Sequence, residues 1–343
     1  MLKRFLATHE FRLLIAAIAL TVCLALGSPR FLAPQNLLDL LANTAFVGML
    51  ASGLLVVLVA GSIDISFTAT ASIAQYVAIL AAGHAGVGLV GTVLIACVIG
   101  TLLGMLNAWL VSVLRMSSII VSIAMLNIYF GLLMLFSNGQ QIFSMPDWFP
   151  DALSWVVGTA PNGDPYVLNA QIIGLILSFA VTWFLLNRTG IGRQVRALGG
   201  NQEAARRVGF RPLRLSLIAF GYLGFTAGLA SLVQAQLAQS VTPNVLVGRE
   251  LNVLAAVVLG GASLAGGQGT VLGTILGVAV LAIMENGFIL IGVSSYWSQC
   301  FIGLVIIGGV AVIGLERKRQ RNHASRVIAG PAMTARTITG GTE

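Results

Sequence analysis

Ionisable and amide side chains are scarce within the apolar segments of this chain, and each is a candidate for chemistry because such groups are costly to bury away from water. No lysine lies among them, and no series of His, Asp and Glu could relay protons. Such groups suit hydrogen bonding to a neutral, hydroxyl-rich solute. The candidate solute-path residues are Asp64, Ser66, Asn107, Asn127, Asn252, Glu285 and Asn286.

Three of the acidic residues also have purely structural interpretations. Asp64 lies in the polar break Gly61-Ser-Ile-Asp-Ile-Ser66 and can cap the helix that follows it. Glu285 can lie at the water boundary, and Glu250 can pair with Arg249 among lipid headgroups. The sequence leaves these alternatives open.

Residue patterns typical of catalysis, ATP hydrolysis or metal binding do not occur in the chain. A phosphate-binding loop requires GxxxxGK[ST], but the two lysines, Lys3 and Lys318, do not follow a glycine. The cysteines, Cys23, Cys97 and Cys300, form no CxxC or Cys/His cluster. We therefore expect no catalytic residue, no metal site and no cofactor bound by this chain. Any ATP and Mg would be used by a partner.

The composition indicates that most of this chain lies in a lipid bilayer. Of the 343 residues, 57% are hydrophobic and only 9% are charged, whereas soluble domains carry about 25% charged residues. With a mean hydropathy of +0.94, the chain needs a bilayer to cover its apolar surface. We predict an all-α integral membrane protein. Its single polytopic domain covers 1–315, and a polar, disordered tail covers 316–343.

Apolar segments long enough to cross a membrane recur along the whole domain. About 20 apolar residues span the hydrocarbon core, and the sequence predicts about ten such helices. The third and eighth are flanked by Gly and Ser, so eight crossings with two re-entrant segments are an alternative. The segments lie near 13–28, 37–60, 66–83, 87–113, 117–137, 167–186, 215–235, 250–263, 270–290 and 296–315.

The charges indicate which loops face the cytoplasm. No Lys or Arg occurs from Met116 to Asn187, whereas seven Arg occur from Arg188 to Arg214. By the positive-inside rule, the loop 187–214 and both termini are cytoplasmic, and the loop 138–166 is outside. These basic loops account for the net charge of +8, so we do not predict nucleic-acid binding.

The arginine-rich loop contains the signals of a short capped helix. Asn201 can cap its start, and Gly209 and Pro212 can end it. Glu203 in the first turn complements the helix dipole. A firm docking element and an amphipathic helix at the lipid headgroups explain this segment equally well.

Three GxxxG pairs allow helix backbones to approach closely in lipid. We favour packing within the chain over a dimer seam for these pairs, which are Gly100/Gly104, Gly224/Gly228 and Gly273/Gly277.

Four motifs in this order resemble the permease subunits of bacterial ABC importers for monosaccharides, over about residues 10 to 316. Pro34-Gln-Asn-Leu-Leu resembles the family's loop after the first span, and Gly61-Ser-Ile-Asp-Ile-Ser66 its Gly-Gly-Ile-Asp-Leu-Ser signature. The segment 197–209 resembles its Gly-x-Asn-x-x-Ala-Ala-x-x-x-Gly motif, and 258–273 its glycine-rich segment. Ser62 and the run Phe67-Thr-Ala-Thr70 depart from the common pattern and indicate an atypical substrate within the group.

The family that the chain resembles contains the permeases for ribose, xylose, arabinose and galactose and their autoinducer-2 and rhamnose relatives. The resemblance implies a type II importer fold in the bacterial inner membrane and a dimer with a second permease copy or a paralogue. It also implies two ABC ATPase subunits below, a periplasmic sugar-binding protein above, and a small neutral sugar as substrate. The implied ATPase-coupling residues are Arg193, Gly199, Asn201, Glu203, Ala204, Ala205, Arg206 and Gly209.

Two other functions remain open from the sequence. One is an ABC permease for branched-chain amino acids or nucleosides, and the Ile-Asp-Ile-Ser signature favours the sugar side. The other is a secondary transporter driven by ions, which would use intramembrane acids such as Asp64 and Glu285 for coupling and would need no docking helix.

Overall fold

The computed structural model describes residues 9–150, 152, 154–159, 165–294, 297, 300, 301, 303, 304, 307 and 308. The chain divides into a unit of residues 1–298 and a second unit of residues 299–343, and the architecture below is that of the first unit. Its helices are α1 His9–Gly27, α2 Pro34–Val59, α3 Phe67–Ala85, α4 Leu89–Leu114, α5 Ser118–Ser137, α6 Ala170–Arg188, α7 Gly190–Gly200, α8 Gln202–Arg207, α9 Pro212–Ala238, α10 Glu250–Leu259 and α11 Val271–Leu290, and its strands are β1 Ser154–Thr159 and β2 Pro165–Asn169.

Seven of the described helices are long and apolar enough to cross a membrane: α1, α2, α4, α5, α6, α9 and α11. The protein is therefore a multi-pass membrane protein. The third and eighth predicted spans correspond to α3, which is less apolar, and to α10. With 10 residues, α10 rises about 15 Å, about half of a hydrocarbon core. The tenth predicted span lies mostly outside the described residues, so the count of ten remains a prediction.

Helix α2 is the central helix of the bundle, with almost every residue from Ala45 to Val59 buried. It begins at Pro34, whose fixed φ suits the first helical turn. The motif that starts at Pro34 is thus a helix start and not the loop that the sequence indicated. The helix ends where Gly61, at φ 82°, permits a left-handed turn closed by hydrogen bonds from Gly61 N to Leu58 O and from Ser62 N to Val57 O.

The glycine pairs pack helices together within the chain, as predicted. Side chains added at Gly100 or Gly224 would overlap the carbonyl oxygen of the other residue, so α4 and α9 touch backbone to backbone. Gly277 of α11 similarly meets the Ala256 carbonyl of α10.

The loop 138–166 contains a structure that the sequence did not indicate. Strands β1 and β2 pair antiparallel, with Trp155 opposite Leu168 and a register shift after Val156. An isolated bridge also joins Ile142 to Val241, which ties this loop to the segment after α9.

Candidate functional site

Asp64 lies at the centre of a buried hydrogen-bond network that joins α3, α4 and α5. After the turn at Gly61, the chain returns into the bundle, and Asp64 accepts hydrogen bonds from the Ser66 amide at 2.8 Å and the Ser66 hydroxyl at 2.7 Å. Asn107 of α4 donates to Ser66 Oγ at 2.6 Å and lies 3.4 Å from Asp64 Oδ2. Tyr129 of α5 donates to Asn107 Oδ1 at 3.0 Å. The structure therefore brings Asp64, Ser66 and Asn107 together.

This network is closed to solvent. Asp64 is 2% exposed, and Ser66 and Asn107 are fully buried. Because these polar groups bond one another, the network stabilises one packing of three helices. The start of α3 has no side-chain cap, because Asp64 bonds to the amide of Ser66, the residue before the helix, and not to an amide of its first turn. The capping interpretation of Asp64 is therefore wrong.

Glu250 forms a second buried link, at the start of α10. Its carboxylate accepts a short hydrogen bond from the Thr68 hydroxyl and a bifurcated one from the Gly248 amide, at 3.0 Å to Oε1 and 2.9 Å to Oε2. Glu250 is 6% exposed, and the Arg249 guanidinium lies 5.8 Å from the ring centroid of Phe46. Glu250 therefore joins α10 to α3 instead of standing among headgroups, and the sequence analysis missed this contact between residues 182 positions apart.

A cavity of about 300 Å³ lies between α2, α10 and α11, and we call it the polar cavity because five polar side chains line it beside six apolar ones. This volume is at the lower end of the range of about 300–1,000 Å³ for small-molecule sites. Three of the predicted path residues, Asn252, Glu285 and Asn286, line it together with Asn43 and Thr44, which the sequence analysis did not single out. The amide, hydroxyl and carboxylate groups there can donate and accept hydrogen bonds to hydroxyls on a solute.

A pair of amides ties two of these helices at one end of the cavity. Asn36 and Asn286 exchange hydrogen bonds, each side-chain nitrogen lying 3.1 Å from the other's oxygen. Asn36 lies one turn before Leu40, which lines the cavity. Asn36 also donates to the Phe31 carbonyl at 2.8 Å. In the sequence, only the resemblance of the motif Pro34-Gln-Asn-Leu-Leu to the family pattern pointed to Asn36.

Asn127 is separate from both groups of path residues. It lies on the exposed face of α5, and its amide donates at 2.8 Å to the Ile123 carbonyl of the same helix. The structure thus divides the predicted path residues into a buried network, a cavity lining and one isolated side chain.

The arginine-rich loop folds into two consecutive helices, α7 and α8. Asn201 caps α8 as the sequence predicted, because its side chain accepts a 2.9 Å hydrogen bond from the Ala204 amide. Gly209, at φ 88°, follows the end of the helix, and Glu203 pairs with Arg207 on its exposed surface. A helix of six residues with exposed charges on a capped turn can present a firm surface to a partner.

The predicted coupling residues differ in what they face. Arg193, Glu203, Ala204, Arg206 and Gly209 are exposed, as is the capping Asn201. Ala205 is the buried residue of α8, with 3% of its surface exposed. Gly199 lies instead against the backbones of α2 and of the loop before α11.

Comparison with known proteins identifies the family of this chain. A family described as "Branched-chain amino acid transport system / permease component" matches residues 36–310. The chain belongs to this family. This permease is similar to the ribose import permease protein RbsC of Escherichia coli, with 31% identity over 91% of this chain and 94% of the relative.

Other relatives match the permease over nearly its full length as well. The L-arabinose ABC transporter permease protein AraH of Azospirillum brasilense is 31% identical over 92% of this chain and 88% of its own. The autoinducer 2 import system permease protein LsrC of Salmonella typhi is 30% identical over 96% and 94%. No solved structure matches the permease significantly. The resemblance to importer permeases is thereby confirmed.

Proposed function

We propose that this permease is the membrane-spanning subunit of an ATP-driven importer that takes a small neutral sugar from a periplasmic binding protein. The observation that carries the proposal is the polar cavity between α2, α10 and α11 in a chain whose relatives bear the names of ribose, arabinose and autoinducer 2 permeases. The five polar side chains of the cavity can bond the hydroxyls of a sugar, whereas the apolar side chain of a branched amino acid would leave them unpaired.

A second permease copy or a paralogue completes the path in this proposal. Asn43 and Glu285 are exposed on the surface of the isolated chain, and contact of such groups with lipid is costly. An apolar groove of about 670 Å³ adjoins the polar cavity and shares Leu40 and Thr44 with it. One face of the bundle therefore presents polar and apolar surface together, which supports its burial between two permeases around a central path.

Two ATPase subunits, which use ATP and Mg, dock on α7 and α8 in this proposal. The exposed charged surface of α8 and its Asn201 cap support this docking role. The arginines of the loop then face the cytoplasm. We further propose both termini on that side, the bacterial inner membrane as the location, and the ten-helix, type II importer fold. Asp64, Ser66 and Asn107 support the path structurally in this view, because their network holds α3 to α4.

Proteoliposomes test the proposal directly. The permease is purified with its ATPase and binding protein, and uptake of labelled ribose, arabinose and leucine is followed with ATP inside. We expect uptake of a sugar that requires ATP and the binding protein and is lost when 203–209 is scrambled. Uptake of leucine without uptake of either sugar would show that the path serves amino acids. Uptake by the permease alone along a proton gradient would refute ATP coupling and make Asp64 and Glu285 the residues to substitute.

A further inference from the structure

The end of α2 and the loop that joins α10 to α11 meet α7. Helix α2 ends at Val59 and α10 ends at Leu259, and α11 begins at Val271 after the loop 260–269. The Gly267 amide of this loop donates a 3.0 Å hydrogen bond to the Val59 carbonyl. The ends of α2, α10 and α11 thus form one connected backbone assembly on the side of the bundle that carries α7.

Gly199 of α7 is inserted into this assembly without room for a side chain. A Cβ at Gly199 would overlap the Val59 carbonyl oxygen and lie 2.6 Å from the Gly267 nitrogen. Gly266, at φ 88°, would place a Cβ 2.5 Å from Gly61 Cα and 2.6 Å from the Gly199 oxygen. Three backbones therefore meet at one point, and glycines occupy the positions where a side chain would separate them, namely Gly61, Gly199 and Gly266.

Arg196 provides a second link one helical turn before Gly199. Its Nη1 donates a 3.0 Å hydrogen bond to the Gly269 carbonyl, two residues before α11 begins, and its Nη2 donates to Asn187 Oδ1 at 3.1 Å. The same helix is therefore attached to α6, to the loop before α11 and, through Gly199, to α2.

We propose that Gly199 is the positioning residue through which α7 moves the three helices that line the polar cavity. This inference rests on the proposed function, in which the ATPases displace α7 and α8. Backbones in direct contact have no layer of side chains between them to absorb relative motion, so a displaced element carries its packed neighbours with it. Displacement of α7 then shifts the ends of α2, α10 and α11 together and changes the shape of the cavity.

This role differs from docking. The exposed residues of α8, such as Glu203 and Arg206, present charge to a partner, whereas Gly199 faces the permease itself. A substitution at Gly199 should therefore leave assembly with the ATPase and ATP hydrolysis in place and reduce the uptake obtained per ATP hydrolysed.

The neighbouring Gly200 provides a matched control. Both glycines lie at the end of α7, but a Cβ at Gly200 meets no atom within 4 Å. Gly199→Ala and Gly200→Ala add the same methyl group to the same helix, and the full complex with its ATPase and binding protein is assayed for uptake and ATP hydrolysis. We expect uptake per ATP to fall about tenfold in Gly199→Ala, within the usual range of coupling between sites, and to stay within about twofold in Gly200→Ala, as for a surface change.

A second variant decides the result if Gly199→Ala does not assemble. Arg196→Gln removes the guanidinium bond to the Gly269 carbonyl without adding volume, and we expect it to lower uptake per ATP by about threefold, a weaker coupling loss. Asn252→Cys, in a background without the three native cysteines, reports the cavity directly through its labelling by a thiol reagent. We expect labelling to depend on ATP in the parent and to lose that dependence in the variant that uncouples.

If the Gly199→Ala complex assembles and shows normal uptake per ATP and ATP-dependent labelling, the inference is overturned. If Gly199→Ala does not assemble, unchanged uptake per ATP and unchanged labelling in Arg196→Gln overturn it. The proposed function fails separately, if the unsubstituted complex shows no ATP-dependent uptake.

Discussion

Replacement of Asn107 by leucine tests whether the buried network around Asp64 holds α3, α4 and α5 together. Leucine has a similar reach and fills the site with apolar atoms, so the change removes hydrogen bonds without leaving a large cavity. Asn107 makes two short bonds, at 2.6 Å to Ser66 Oγ and 3.0 Å from the Tyr129 hydroxyl, and one longer contact of 3.4 Å to Asp64 Oδ2.

The partners of Asn107 keep other bonds, and this limits the cost of the substitution. Ser66 still donates to Asp64 at 2.7 Å, and Tyr129 still donates to the Leu103 carbonyl at 3.0 Å. Side-chain bonds between membrane helices contribute about 0.6 kcal/mol each and at most about 1.7 kcal/mol. Three such contacts give a loss of about 2 kcal/mol in the free energy of unfolding.

The assay is reversible unfolding of the purified permease in mixed detergent, followed by far-UV circular dichroism. Asn127→Leu is the matched control, because Asn127 makes the same kind of side-chain bond only to its own helix. We expect it to leave the free energy of unfolding unchanged or to raise it, since leucine suits an exposed face in lipid. Equal destabilisation by the two substitutions would refute the assignment of a stabilising role to the network.

Three further sets of substitutions test other contacts of the structure. Asn201→Ala should destabilise α8 by about 1 kcal/mol through loss of its cap and reduce the amount of ATPase that co-purifies. Asn201→Asp should keep both the stability of α8 and the co-purification. Equal amounts of ATPase co-purified with the two variants would contradict this prediction. Glu250→Leu should lower the unfolding temperature in detergent more than Glu250→Gln, because glutamine keeps an acceptor for the Thr68 hydroxyl. The reverse order would show that the bond to Thr68 does not stabilise the protein. Asn36→Leu and Asn286→Leu should show a coupling of about 0.6 kcal/mol in a double-mutant cycle of unfolding, whereas additive losses would indicate that the two amides act independently.

Features that depend on neighbouring residues could be predicted from the sequence. The Asn201 cap and the Gly209 end of α8 follow from contacts within a few residues, where backbone geometry alone sets which group meets which. The weak spans near 66–83 and 250–263 were also recognisable, because the Gly and Ser on their flanks and their short apolar length are local properties. The hairpin of β1 and β2 was not, since its pairing depends on a turn and register that weak alternation does not indicate.

The residue types of the candidate site could be predicted from the sequence, but which of these residues lie close together could not. Asn252, Glu285 and Asn286 were recognisable as costly polar groups in apolar segments, and they do line one cavity. Asn127 has the same chemistry and the same apolar flanks, yet it lies on another face of the bundle. Helical position relative to the neighbouring helices decides this difference, and residue type carries no information about it.

The amino-acid sequence by itself determined that this protein crosses a membrane several times and belongs to a permease family, because hydropathy and motif order are properties of the linear chain. Only the tertiary structure decided that Asn107 bonds to Ser66, that Glu250 bonds to Thr68, and that Gly199 meets Val59 and Gly267. Each of these contacts joins segments that are distant along the chain or that turn back within the bundle. The packing of whole helices sets such distances, since a hydrogen bond or a backbone contact forms only within a few ångströms.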